Sequence, residues 1–360
     1  MNDDALALTA LSTFDGLGPA RLRRLLDGRS ASDLWAALLE GGLTECDAGI
    51  GADHLETWTS AARATDLDRL RGRCEQLELA VLTPPDPEWP ACLEHDPDPP
   101  LILFRQGGPE VRSPVVAVVG TRRCTSYGRR TAGRLGRELA DAGVAVISGL
   151  ALGVDAESQR AALDVGGSVV GVVGSGLDVV YPKSNRRLWS DVASSGQLWS
   201  EWGPGTPPAR WRFPARNRLV AAMADALIVV ESPAAGGSLH TVDAALERDV
   251  PVFAVPGPID SPASEGTNRL LVQGCAPYTH LDDLCVVLDL GSRATAPATE
   301  AVAPSPETTL VLERLSDAPS SLTELVLASG LSLSAMASLL DELESAGLVR
   351  DSGGWWERSQ

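Results

Sequence analysis

From Pro114 to about Leu290 the chain alternates short β-branched apolar runs with helical stretches, and this alternation restricts the fold more than any other feature. The runs fall at 115–119, 144–147, 169–173, 226–230 and 250–255, each followed by a turn containing Gly or Pro. Helical stretches are expected at 128–142, 155–165, 185–195, 215–224, 238–248 and 267–273. A strand apolar along its whole length has no face to offer water, so helices must cover it on both sides. The pattern therefore predicts an α/β domain with a doubly wound, mostly parallel sheet over 113–290. Ligands of such sheets bind in the turns at the carboxyl ends of the strands.

The flanks differ. Residues 5–40 read as short helices near 6–14, 19–26 and 32–39, with helix continuing to about Leu77, so 1–77 is expected to be a helical domain. Gly16-Leu17-Gly18-Pro19 joins its first two helices; such a turn either offers amides to a phosphate or is simply a tight connection. Residues 78–112, with Pro84-Pro85-Asp86-Pro87 and Pro97 to Pro100, read as an extended connector. Residues 291–306 read as a flexible Ala/Pro/Thr-rich linker. Beyond it, helices at 310–315, 321–329 and 334–347 precede a hairpin over 348–356, which together describe a winged helix at 307–360. Ser332 or Ser334 would cap the third helix and Gly347 would end it.

Charge locates the working surface. The net charge is −18, yet the 27 residues from Val111 to Arg137 hold seven arginines and no acid. Lys183 to Arg218 hold seven more bases, including the chain's only lysine, against Asp191 and Glu201. The two windows take 14 of 30 bases and 2 of 48 acids. Local positive charge beside glycine-rich turns suits a polyanion, and an acidic remainder argues against a protein that coats nucleic acid with its whole surface. The six cysteines lack metal-type spacing and read as free thiols. No apolar run approaches the roughly 20 residues of a membrane span. The first ten residues lack a basic signal segment, so a cytoplasmic location is expected.

Five turns carry the candidate chemistry. Gly120-Thr121-Arg122-Arg123 offers amides, a hydroxyl and guanidiniums suited to one phosphate, or is an ordinary β–α turn with exposed arginines. Ser148 to Asp155 is glycine-rich, and Asp155 is expected to cap the next helix. Gly174-Ser175-Gly176 leads to Tyr181-Pro182-Lys183. Phe213-Pro214-Ala215-Arg216-Asn217-Arg218, preceded by Arg210, Trp211 and Arg212, interleaves rings with arginines as single-stranded nucleic acid binders do. Core packing of the rings is the plainer explanation, and it is the one expected for Trp211. Gly236-Gly237-Ser238-Leu239-His240-Thr241 opens a helix, either as an anion site or as a well-capped terminus. No HExxH, GxSxG, GxGxxG or Walker motif is present, and the four histidines form no metal-type cluster. Many anion-suited turns without a nucleophile–base pair suggest binding rather than catalysis.

At these residues the sequence resembles the DprA/Smf family of natural transformation. The match runs in order from VVGTRRCTSYG through SGLALGVD, GSGLDVVYP, SEWGPG and FPARNRLVAAMA to VVESPAAGGSLHT and VFAVPGPIDSPASEGTN. The resemblance implies an extended Rossmann-like domain between an N-terminal helical (SAM/helix-hairpin-helix-like) domain and a C-terminal winged helix. It implies binding of single-stranded DNA, loading of RecA recombinase past single-strand-binding protein, and a homodimer, with no cofactor, metal, membrane or catalytic residue. By the same resemblance Arg122 and Lys183 hold phosphates and Phe213 stacks on or wedges a base. Arg216, Asn217 and Arg218 would line the pocket beside Arg123, with Gly120, Thr121, Gly174 and Gly176 presenting backbone.

The chain departs from the family pattern at Gln159 (usually His), at Gly236 (usually Ser) and at Asp249-Val250 (usually Gly-Arg). The winged helix has few bases, so protein contact is as open to it as DNA contact. The alternative is a nucleotide phosphoribohydrolase of the LOG group, similar in architecture. Its PGGxGTxxE pattern is degraded here to Ala235-Gly236-Gly237-Ser238-Leu239-His240-Thr241-Val242-Asp243. A scaffold working only through its terminal domains is a third reading.

Overall fold

The computed structural model describes residues 1–43, 52–108, 111, 114–285, 287–288, 306–317, 319–345, 348–351 and 355–358. Arg112, Gly347, the 352–354 turn and the expected linker, apart from Pro306, lie outside them. The chain divides into two compact units, Met1–Gly291 and Ser292–Gln360.

The first unit opens with helices α1 (Asp3–Leu11), α2 (Pro19–Leu25), α3 (Ala31–Glu40), α4 (Ala52–Ala64) and α5 (Leu67–Gln76). Strands β1 (Ala80–Leu82) and β2 (Leu103–Gly107) follow, then β3 (Val115–Val119), α6 (Ser126–Asp141), β4 (Ala145–Ser148), α7 (Val154–Asp164), β5 (Val169–Val172), α8 (Arg186–Ser195), β6 (Gln197–Ser200), α9 (Arg212–Ala222), β7 (Ala226–Val229), α10 (Leu239–Leu246), β8 (Val252–Ala254), α11 (Glu265–Val272), β9 (Ala276–Pro277) and α12 (Asp282–Cys285). The nine strands form one sheet in the order β1-β2-β6-β5-β4-β3-β7-β8-β9. Pairing is parallel from β6 to β9 and antiparallel for β1–β2 and β2–β6. From β3 the chain winds outward through β4, β5 and β6, then returns to β7 on the other side of β3. This is the doubly wound, mostly parallel α/β sheet expected from the strand–helix alternation, and it has the Rossmann-like form that the family resemblance implies.

The alternation of side chains across the sheet builds two cores. Val116 and Val118 join the cluster on one face, Ala117 and Val119 the cluster on the other. The N-terminal helices share the first of these, Leu11, Leu34 and Trp58 belonging to the same cluster as Phe104 and Val146. Residues 78–112, expected as a connector, contribute β1 and β2 and extend the sheet by an antiparallel edge. β6 (QLWS) lacks a β-branched run, which is why the sequence pattern passed over it. Its polar side chains are satisfied locally: Gln197 Nε2 donates to Gly108 O at 3.0 Å, and Gln197 Oε1 accepts from Trp199 Nε1 at 2.9 Å.

The Gly16-Leu17-Gly18 turn serves packing. Trp211 covers Gly18 so closely that a Cβ there would lie 3.1 Å from its ring, and Gly203 N donates to Ser12 Oγ at 2.9 Å. Helices α6 and α7 also meet closely: a Cβ at Gly136 would overlap the Ser158 carbonyl. Gly136→Val is expected to lower stability by about 1–3 kcal/mol through overpacking, read as a lowered denaturant midpoint.

The second unit contains α13 (Pro306–Asp317), β10 (Ser320–Ser321), α14 (Leu322–Ser329), α15 (Leu333–Ser345), β11 (Val349–Asp351) and β12 (Trp355–Arg358), with sheet order β10-β12-β11. Ser321 and Glu324 form a capping box, Ser332 Oγ accepts from Ala335 N at 3.2 Å, and Val311, Leu325, Met336 and Leu340 form the core. It is a winged helix. Among the described residues no single helix is long and apolar enough to cross a membrane.

Candidate functional site

The chain leaves β3 toward one side of the sheet and β7 toward the other, and the turns that follow part to open a crevice. A cavity of about 440 Å³ sits there. Gly120 to Arg123 form one wall, Gly149, Ala151 and Asp155 another, Phe213, Arg216 and Asn217 of α9 a third, and Gly236 to Ser238 with His240 and Thr241 the last. A recess of about 50 Å³ shares Arg122, Phe213 and Arg216 and adds Leu152, Tyr181 and Pro182. The Arg122 guanidinium lies 5.0 Å from the Phe213 ring centroid. Tyr181 stacks on the same ring at 5.5 Å with 29° between planes, and is 42% exposed.

Internal bonds set the shape of these turns. Thr121 N donates to Glu231 O at 2.7 Å, and its Oγ1 accepts from Arg123 N at 3.2 Å. The buried Glu231 carboxylate, which nothing in the sequence singled out, accepts from Thr125 N at 2.8 Å and from its hydroxyl at 2.5 Å. It thereby fixes the start of α6 and leaves the guanidiniums of Arg122 and Arg123 in solvent. Gly120 allows the close passage of β3: a Cβ there would lie 2.6 Å from Val154 Cγ2. Gly174 is buried beneath Phe213, where a Cβ would stand 3.3 Å from the ring.

Asp155 was expected to cap α7, but Gly153 occupies the N-cap position without a side-chain bond. Asp155 instead turns back and accepts from Gly149 N at 3.1 Å and Ala151 N at 3.4 Å. Burial raises its carboxyl above the usual range, opposed by the Arg216 charge. Gln159 holds the same turn, accepting from Leu150 N at 3.2 Å and donating to Val170 O at 2.9 Å. Gly236 fits where a Cβ would overlap Ser232 Oγ. Asp249 takes a left-handed φ of 54°, a conformation a glycine adopts without strain and Asp tolerates better than most residues.

The arginines of α9 divide by helix face. Arg216 is buried in the cavity wall, donating to Val172 O and, through Nε, to Asn217 Oδ1 at 3.1 Å. A Cβ at Gly149 would overlap its guanidinium. Burial lowers its pKa to about 10, opposed by Asp155 and assisted by Arg122, so it stays charged at neutral pH. Arg218, expected in the pocket, is outside it. Two residues along the helix turn it about 200° from Arg216, where it bonds Glu201 Oε1 at 2.6 Å and Asp98 Oδ2 at 2.8 Å. Arg212 is also buried, donating to Pro207 O with its guanidinium over Trp211. Trp211, expected in the core, is 37% exposed, with its edge against Trp202. Gly176 is outside the cavity too: its N–H donates to Thr206 O at 2.9 Å, so that amide is not offered outward. Lys183 is exposed beyond Pro182, outside the walls of both cavities and, among the described residues, without an ion-pair partner. His240 lines the cavity and is exposed.

The cavity thus brings together Gly120, Thr121, Arg122, Arg123, Phe213, Arg216 and Asn217, with His240 as a further member and Tyr181 in the adjoining recess. It offers two solvent-exposed cations, a buried third, and an aromatic stack. Among the described residues, no three His, Cys, Asp or Glu side chains are grouped as a metal site would require.

Residues 80–289 match the family described as DNA recombination-mediator protein A. Protein Smf of Synechocystis is 30% identical over 98% of both chains. A DNA processing protein DprA of Mycobacterium tuberculosis is 36% identical, covering 81% of this chain and 79% of the relative. The X-ray structure of DprA from Streptococcus pneumoniae superposes with a TM-score of 0.65 at 28% identity, over 79% of this chain and 98% of that one. A structure of DprA from Helicobacter pylori, described for its single-stranded DNA binding mode, gives a TM-score of 0.54 at 31% identity, over 59% and 96%. With the strand–helix order, the strand-end turns and these matches in agreement, the chain belongs to the DprA/Smf family of DNA recombination-mediator proteins.

Proposed function

We propose that this chain binds single-stranded DNA in the strand-end cavity and, as a homodimer, helps load RecA onto that strand past single-strand-binding protein in homologous recombination. The observation that carries the binding reading is the grouping of Arg122, Phe213 and Tyr181 at one opening. A flat ring accepts any base face, and a guanidinium beside it pairs with the flanking phosphate. Bases in a duplex are stacked on one another and have no free face to offer, so the site favours single strands. The relative from Helicobacter pylori is described as binding single-stranded DNA, which supports the same assignment here.

The test is a titration of fluorescent oligo-dT at several salt concentrations with a duplex control. Wild-type affinity should fall by about 0.7 log units per log unit of salt for each phosphate neutralised. Arg122→Ala should bind more weakly, with a slope shallower by about 0.7. Lys183→Ala, outside the cavity walls, should show the smaller loss. Tight binding that neither variant weakens would defeat the assignment. For the hydrolase reading, Asp243 is exposed and outside the cavity walls. Release of free base from a nucleotide incubated with the protein would revive that reading.

A further inference from the structure

The arginines that the strand-end cavity leaves unused form a second feature. Helices α6 and α7 leave a groove of about 230 Å³ between them, where Gly133 faces Ala161. Gly133 and Ala161 lie on its course, and a Cβ added at 133 would find only ordinary contacts, so the floor is shallow. Arg129, Arg130 and Arg137 of α6 and Arg160 of α7 rim it, and all four are exposed. Two acids, Glu157 and Asp164, accompany them. Glu157 lies 3.9 Å from Arg160, while Arg129, Arg130 and Arg137 pair with no carboxylate among the described residues. Four bases against two acids is a local excess of positive charge on a protein whose net charge is −18. Unpaired guanidiniums of one sign repel each other and gain nothing from the fold, so a polyanion is their natural complement.

We infer that this groove carries the sugar–phosphate backbone of the same single strand after it leaves the strand-end cavity; the inference rests on the DNA-binding reading above. Continuity supports it, because cavity and groove are built on the same two segments. Arg123 lines the cavity and Arg129 the groove on one segment; Asp155 lines the cavity and Glu157 the groove on the other. Among the described residues the groove walls contain no aromatic side chain, so it holds phosphates and leaves the bases free. From Arg129 to Arg137 the helix rises about 12 Å, room for about three phosphates at the ~3.4 Å spacing of a stacked strand and fewer in an extended one.

The experiment compares short and long oligo-dT on the full chain, using wild type, Arg130→Ala/Arg137→Ala and Arg122→Ala. The short oligomer is the minimal length that saturates the wild-type cavity. The groove variant should bind it as wild type does, yet bind the longer strand more weakly, with a salt slope shallower by about 1.4 for the two lost contacts. Arg130→Lys/Arg137→Lys should keep the wild-type slope, because charge rather than fork geometry is being read. Unchanged binding of both lengths by the groove variant, with Arg122→Ala weakening both, would overturn the groove and leave the cavity standing. Equal losses at both lengths would overturn it as well. If Arg122→Ala were equally without effect, the cavity reading would fail with it. A poly-glutamate peptide that binds the wild type in a groove-dependent manner, without competing with DNA, would assign the groove to an acidic protein instead.

Discussion

Phe213→Ala is expected to weaken oligo-dT binding by about 1–3 kcal/mol, roughly 5- to 150-fold, while leaving the salt slope unchanged. The ring contributes a face and no charge, so its removal changes affinity without changing the number of counterions released. Arg122→Ala should alter both, since it removes a cation that also lies over that ring. The pair of variants therefore separates stacking from charge neutralisation. Phe213 is half-buried with Tyr181 on it and Gly174 beneath it, so truncation also frees Tyr181. Phe213→Leu, which keeps apolar volume, should restore stability without restoring affinity. Recovery of affinity in Phe213→Leu would show that the ring is packing and not a stacking platform.

Arg218→Ala is expected to destabilise the first unit by about 3–5 kcal/mol, measured as a lowered denaturant midpoint. Its guanidinium bonds both Glu201 and Asp98, and Asp98 also meets Arg23 of α2 at 2.7 Å, so the network joins the N-terminal helices to the sheet. Glu201 is buried; desolvation raises its pKa while the Arg218 charge holds it down. Without Arg218 a buried carboxylate would lose its main partner. Arg218→Ala combined with Glu201→Gln should recover part of the loss. Oligo-dT affinity, measured where the variant is fully folded, should be unchanged. Weaker DNA binding at full stability would return Arg218 to the binding site and contradict its position on the far face of α9.

The fold was largely legible because its signals are local. Near-continuous apolar strands flanked by turns require burial on both faces, and the spacing of strands and helices then leaves a doubly wound sheet. The winged helix was legible for the same reason, through three successive helices, Ser332 at the start of the third, and the strands that follow them. β6 and the two strands of the Pro-rich segment were not, since QLWS and AVL become strands only when a neighbouring edge supplies hydrogen bonds.

The strand-end turns were likewise readable, because a glycine and a base after an apolar run are adjacent in sequence. What an arginine does there was not. Arg122, Arg212, Arg216 and Arg218 are alike as letters, yet one is exposed over a ring and three are buried against Pro207 O, Val172 O, and Glu201 with Asp98. Those partners lie 5, 44, 17 and 120 residues away along the chain, and only Pro207 is near its arginine in sequence. The sequence by itself determined the central parallel strands with their covering helices and which end of the sheet carries the chemistry. Only the tertiary structure decided which cations face solvent and which hold the protein together, because a guanidinium's role depends on the acceptors that folding brings within about 3 Å of it.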